Sequence, residues 1–365
     1  MALKPSLREV LLRLREQGAL PPDAEPRAMT AMEAYWRSAA ATPWYVRVLI
    51  GFGAWLAACF LCLFFGLLLD FRDETVFFVL GLILCGATVG LRRVSSHVFL
   101  SQLSLAFCLT GQGLFLAGLA QLSDSEIATA LGFLLLELAL LALYPDRVLR
   151  FLATVGAAST VLFLAYQPHL LALVDVTLVL FAALLHLLVL SQVRLQRGPF
   201  KTLVSPVAFA LACVLFGAIL TRDLLHLGPE FREMLAESPI SVLTLGLAIV
   251  TMYTAAKVLQ ETGLEVSGTA GATVFVSLGL TALLTLNTPG VIGAAGVLAL
   301  AFHRRSVVML GLAVAFLIGF GVLYYYDLSL SLLAKSGALV GSGLVLLGLR
   351  LFILRRFPAA TPEAP

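Results

Sequence analysis

Glu137, Asp175, His186, Lys335 and Arg350 are ionisable side chains set within long apolar runs. A charge in hydrocarbon is costly, so such a residue faces a water-filled cavity, pairs with an opposite charge or gives up its charge. Carboxylates and an imidazole at successive depths can pass a proton or cation along a path, and the same groups can instead fasten helices together. Glu137, in "FLLLELALLAL" (133–143), stands ten residues into its run, close to a midplane. Asp175 and His186 are eleven positions apart, three helical turns, and so share one helix face.

Lys335 and Arg350 flank the last apolar run, fifteen positions apart. At 1.5 Å per residue they are separated by about 22 Å, less than a hydrocarbon core of about 30 Å. On one straight helix at least one of them must snorkel or pair. Lys335 has two readings: an outer-interface anchor beside Tyr324, Tyr325 and Tyr326, or the partner of Asp175. Asp175 lies roughly 8 Å into its span and Lys335 about 10 Å into its own, so a lysine stem can bridge the difference.

The elements that must position these groups are membrane helices. The chain has 365 residues, 60% of them hydrophobic and 12% charged, with a mean hydropathy of +1.01. About a quarter of a soluble domain is charged. A chain this apolar cannot cover a surface that faces water. Backbone groups in lipid must bond internally, and the unbroken length of the runs favours helices over barrel strands. Hydropathy places spans at about 48–69, 75–91, 98–120, 127–144, 149–166, 170–193, 203–221, 240–258, 269–286, 290–302, 306–324 and 328–354. The expected fold is an all-α polytopic bundle of about twelve transmembrane helices, 48–354. A helical cytoplasmic region precedes it (1–47) and a short cytoplasmic tail follows (355–365). The pair within 269–302 is short and can instead be read as a partly re-entrant hairpin.

Orientation follows from Lys and Arg, which stay on the cytoplasmic side. Of the 24 basic residues, seven lie in the N-terminal region, thirteen on one set of alternate connections and four on the other. Both termini are therefore expected in the cytoplasm. In the N-terminal region Ser6 and Glu9 form a capping box, and Leu7, Val10, Leu11 and Leu14 recur at helical spacing up to Gly18. Pro21-Pro22 then separates a second helix at about 25–40. This hairpin reads as an amphipathic element on the membrane surface, or as a docking element for another membrane protein. The outer connection 222–239, "RDLLHLGPEFREMLAES", mixes charges with leucines and suits a short interfacial helix.

Small residues mark close packing: Gly86 and Gly90 make a GxxxG, and Gly337, Gly341 and Gly348 line one stripe of the last span. The five cysteines, Cys59, Cys62, Cys85, Cys108 and Cys213, all fall inside spans and are expected as free thiols. Cys59 and Cys62 spell CxxC, but a redox pair needs an accessible thiolate. The chain lacks HExxH, GxxxxGK[ST], an EF-hand loop and a His/Cys metal cluster. Gly341-Ser342-Gly343 has no histidine nearby to activate its serine. The expectation is a protein without catalytic, cofactor or metal site, in contact with the lipid bilayer and not with nucleic acid.

"PWYVRVLIGFGAWLAA" (43–58), opening the first span, and "YYYDLSLSLLAKSGALVGSGLVLLGLR" (324–350), closing the last, resemble a family of bacterial multi-pass inner-membrane proteins, domain of unknown function number 4401. "LREQGALPPDAEP" (14–26) is similar to the N-terminal helix of related membrane families. The resemblance implies an inner-membrane location and a multi-span architecture, and it brings no activity or catalytic residue. Two functions fit these residues. One is a structural or accessory component of the envelope membrane. The other is a secondary transporter or ion-coupled carrier using Glu137, Asp175, His186 and Lys335.

Overall fold

The computed structural model describes residues 44–68, 74–94, 98–167, 171–195, 198–226 and 240–327, with the isolated helical positions 27, 30, 336, 340, 344, 347, 348 and 351. The described residues are helical apart from turns and short connections, with no strand among them. Eight helices among them are long and apolar enough to cross a membrane, which makes this an integral membrane protein. Residues 1–26, most of 328–354 and the tail, and with them Lys335 and Arg350, lie outside the described residues.

The chain divides into two units, Met1–Leu122 and Ser123–Pro365. In the first, α1 (Trp44–Leu68), α2 (Glu74–Val94) and α3 (Val98–Leu122) follow one another. Helices α2 and α3 approach closely because each presents glycine to the other's backbone. A Cβ at Gly81 would stand 2.7 Å from the Gly111 carbonyl oxygen, and one at Gly111 would stand 2.8 Å from Cys85 Sγ. Phe78 and Phe115 pack alongside, their rings tilted by 33° with centroids 5.1 Å apart. Hydroxyls complete the seam: Ser104 donates to the Thr88 carbonyl at 3.2 Å and Thr110 to the Ala58 carbonyl of α1 at 3.3 Å. The GxxxG glycines Gly86 and Gly90 do not form this seam; a Cβ there would meet no atom of the described residues within 4 Å.

The second unit holds α4 (Glu126–Leu143), α5 (Arg147–Tyr166), α6 (Leu171–Leu190), α7 (Val204–His226), α8 (Ile240–Glu261), α9 (Thr269–Leu284), α10 (Pro289–His303) and α11 (Val307–Asp327). Sequence signals set the ends. Ser125 caps α4 by accepting from the Ala128 amide, and Asp146 caps α5 by accepting from Val148 and Leu149. Pro289 occupies the first turn of α10, where its missing N–H costs nothing. Helix α8 stops at Gly263, whose φ of 75° lets Leu264 N–H reach the Leu259 carbonyl at 3.0 Å.

Contacts between helix ends give the directions: α4 and α5, and α8 and α9, run antiparallel, whereas α9 and α11, and α6 and α10, run parallel. At one end Gln167, after α5, donates to Glu126 of α4 at 3.2 Å. Thr244, early in α8, donates to the Leu286 carbonyl after α9 at 2.6 Å, and Tyr324, late in α11, donates to the Leu284 carbonyl at 3.2 Å. At the other end Arg304, after α10, donates to the Leu190 carbonyl that closes α6 at 2.6 Å.

Helix α10 forms the centre of this unit. With nine of its 15 residues buried, it presents Gly290, Gly293 and Gly296 to its neighbours. Phe320 of α11 lies directly over Gly290 and packs with Phe216 of α7 and Phe316. Helices α9 and α10 have 16 and 15 residues, short of the ~20 that a perpendicular span requires.

Candidate functional site

Asp175 sits four residues after the start of α6, and Arg222 four before the end of α7. Because these helices are antiparallel, both residues lie about 6 Å from the same end by helical rise. The Arg222 guanidinium forms an ion pair with the Asp175 carboxylate, with side chains 7% and 2% exposed. Asp223 is buried next to it and acts electrostatically on Arg222. The cation against Asp175 is thus Arg222, which hydropathy places in an outer connection. Helix α7 continues through Arg222 to His226 because Leu224 and Leu225 prolong its apolar character past the two charges, and because an arginine leaning toward its helix N-terminus reaches inward to the pair. The alternative partner Lys335 lies outside the described residues.

His186 shares the Asp175 face, about 16 Å further along α6, and is buried to 3% exposure. Its Nδ1 lies 2.5 Å from Thr254 Oγ1 of α8. That hydroxyl also lies 2.9 Å from the Val250 carbonyl, to which it donates. Gly296 of α10 makes room for the ring, since a Cβ there would stand 3.1 Å from His186 Cε1. The histidine therefore joins α6, α8 and α10.

Glu137 is 1% exposed in the middle of α4, where it packs on Gly156 of α5. A Cβ at position 156 would stand 3.0 Å from Glu137 Cδ. A helix that carries a buried carboxyl needs a neighbour without a side chain at that level, and Gly156 supplies it.

A second polar region closes the other ends of these helices. Glu261, the last residue of α8, lies 2.7 Å from His303 Nε2 and 3.2 Å from the Arg304 guanidinium. Arg304 in turn caps α6 through the Leu190 carbonyl. Beside this cluster is a cavity of about 500 Å³ whose polar lining is Ser191, Arg194, Tyr253, Lys257, Glu261 and Arg304. In the sequence these basic residues mark only sidedness, and the cavity depends on a meeting of helix ends that hydropathy does not report. Among the described residues no group of three or more His, Cys, Asp or Glu side chains could hold a metal. Cys59, Cys85, Cys108 and Cys213 are free thiols.

The family model described as Domain of unknown function (DUF4401) matches residues 43–356. The chain belongs to this family. The match covers both end stretches that carried the resemblance and every helix from α1 to α11. Comparison with curated proteins and with solved structures gave no match. Membership of DUF4401 thus joins the apolar helices in describing an integral membrane protein and assigns no activity to Glu137, Asp175 or His186.

Proposed function

We propose that this DUF4401 protein is a structural or accessory component of the envelope membrane, and that its buried ionisable groups fasten helices together. The observation that carries this reading is that each group serves a different helix contact. Glu137 joins α4 to α5, Asp175 joins α6 to α7, and His186 joins α6 to α8 and α10. A carrier needs such groups to face a shared aqueous route, with a pairing that exchanges during transport. A fastening needs each one held at its own contact between two helices. The family resemblance implies a bacterial inner membrane, and the Lys and Arg distribution supports both termini in the cytoplasm. With helices alternating through the bilayer, the cavity at Arg194, Lys257 and Arg304 opens to the cytoplasmic leaflet.

Reconstitution tests the reading. Proteoliposomes with an imposed pH gradient and an internal pH dye should lose the gradient no faster than protein-free vesicles. The Asp175→Asn and His186→Gln variants should not change that rate. A leak through the wild type that either variant abolishes would replace the accessory reading with the ion-coupled carrier.

A further inference from the structure

The cavity at the ends of α6, α8 and α10 has the charge, shape and depth of a lipid site. Three cations, Arg194, Lys257 and Arg304, line it against one carboxylate, Glu261. That carboxylate is already engaged by His303 and Arg304, so the lining as a whole favours an anion. Arg304 is held in orientation by its bonds to the Leu190 carbonyl and Glu261, and its buried Nε–H has no acceptor among the described residues. The Lys257 ammonium uses one donor on Gln260 at 3.3 Å and lies 5.8 Å from the Tyr253 ring centroid. An ammonium has three donors, so others remain for a ligand.

The rest of the wall is exposed and largely apolar. Leu187, Val193 and Tyr253 also line the cavity and are 47%, 55% and 48% exposed. Tyr253 lies eight residues before the end of α8, so the cavity extends about 12 Å from the polar helix ends into the span. A free inorganic anion has no use for this lower part. A phospholipid fits both parts, with its phosphate among the cations and its acyl chains along the exposed apolar side chains. Basic pockets between membrane helices recognise anionic headgroups in this way, and about 500 Å³ is within the range of ligand sites.

We propose that this cavity binds the phosphate-bearing headgroup of an anionic phospholipid, with Arg194, Lys257 and Arg304 as its counter-charges. The proposal depends on the membrane location and not on the accessory role, so the two can fail separately. The full-length protein in neutral maltoside micelles is titrated with short-chain phosphatidylglycerol, and bound lipid is counted by native mass spectrometry. Phosphatidylcholine of the same chain length and inorganic phosphate serve as competitors.

The expected result is retention of phosphatidylglycerol that neither competitor displaces at equal concentration. Arg194→Gln with Lys257→Gln should weaken it about thirty-fold, and either change alone about five-fold, at roughly one favourable contact per basic residue. Lys257→Arg should preserve binding, and circular dichroism of each lipid-free variant reports its fold. Equal retention of the two lipids overturns the proposal, as does undiminished binding by a folded Lys257→Gln variant. Displacement by inorganic phosphate would overturn the lipid source and leave a free-anion site.

Discussion

Replacing Arg222 with Met should destabilise the second unit far more than removing any charge at its surface. The Asp175 and Arg222 side chains are 2% and 7% exposed, so both ions are desolvated and depend on each other. Removing one partner of such a pair costs about 3–5 kcal/mol, because a buried charge is left without its counter-ion. Arg222→Met should lie at the upper end, since Asp223 also loses the adjacent guanidinium. Asp175→Leu should lie at the lower end. The double variant Asp175→Leu/Arg222→Met leaves neither member of the pair and should return to within about 1–2 kcal/mol of wild type, as buried ion pairs replaced by apolar groups commonly do.

Denaturation in mixed micelles, followed by far-UV circular dichroism, measures all four proteins. Tryptophan fluorescence is unsuitable because Trp36, Trp44 and Trp55 all precede this unit. If the cost of the double variant equals the sum of the single costs, the two residues are uncoupled and the fastening argument fails at its best-defined contact.

Glu261→Gln should cost less than about 1 kcal/mol by the same measurement, since Glu261 is 41% exposed in its contacts with His303 and Arg304 and exposed pairs contribute little. Gly296→Val should destabilise by about 1–3 kcal/mol, the usual cost of overpacking, because its first carbon would clash with Thr251 Oγ1 of α8 and stand 3.1 Å from His186 Cε1; an unchanged midpoint would show that α10 can move away from α8 and α6. A lipid-soluble maleimide should label Cys59, which is exposed, and Cys213, which is half-buried and lines a cavity between α5, α7 and α11. Cys85 and Cys108, buried between α2 and α3, should stay unlabelled until the protein is denatured, and peptide mass mapping reads the four sites together.

Local apolarity made the helices of the second unit legible. The expected spans 127–144 and 149–166 became Glu126–Leu143 and Arg147–Tyr166, because hydropathy and caps such as Asp146 are properties of adjacent residues. Partners were not legible in the same way. Asp175 and Arg222 are 47 positions apart, and a hydropathy window ends where it meets "RD", which puts the arginine in a connection. Thr254, an uncharged residue, carries no signal that it holds a buried histidine. Gly86 and Gly90 have the spacing of a packing motif, yet Gly81 and Gly111 form the close seam. The spacing does not say how far a helix is rotated about its axis, and that rotation decides which glycines meet a neighbour.

Water access at the buried ionisable positions is the most direct test of the central claim. Glu137→Cys and His186→Cys are each introduced into a cysteine-free protein, with Thr262→Cys, at an exposed turn position, as the positive control. Membrane vesicles of both orientations are then treated with a charged, water-soluble maleimide. Helix-fastening groups predict labelling at position 262 and none at 137 or 186 in folded protein. Labelling at 137 or 186 from either side would place water at the core of the bundle and contradict the account.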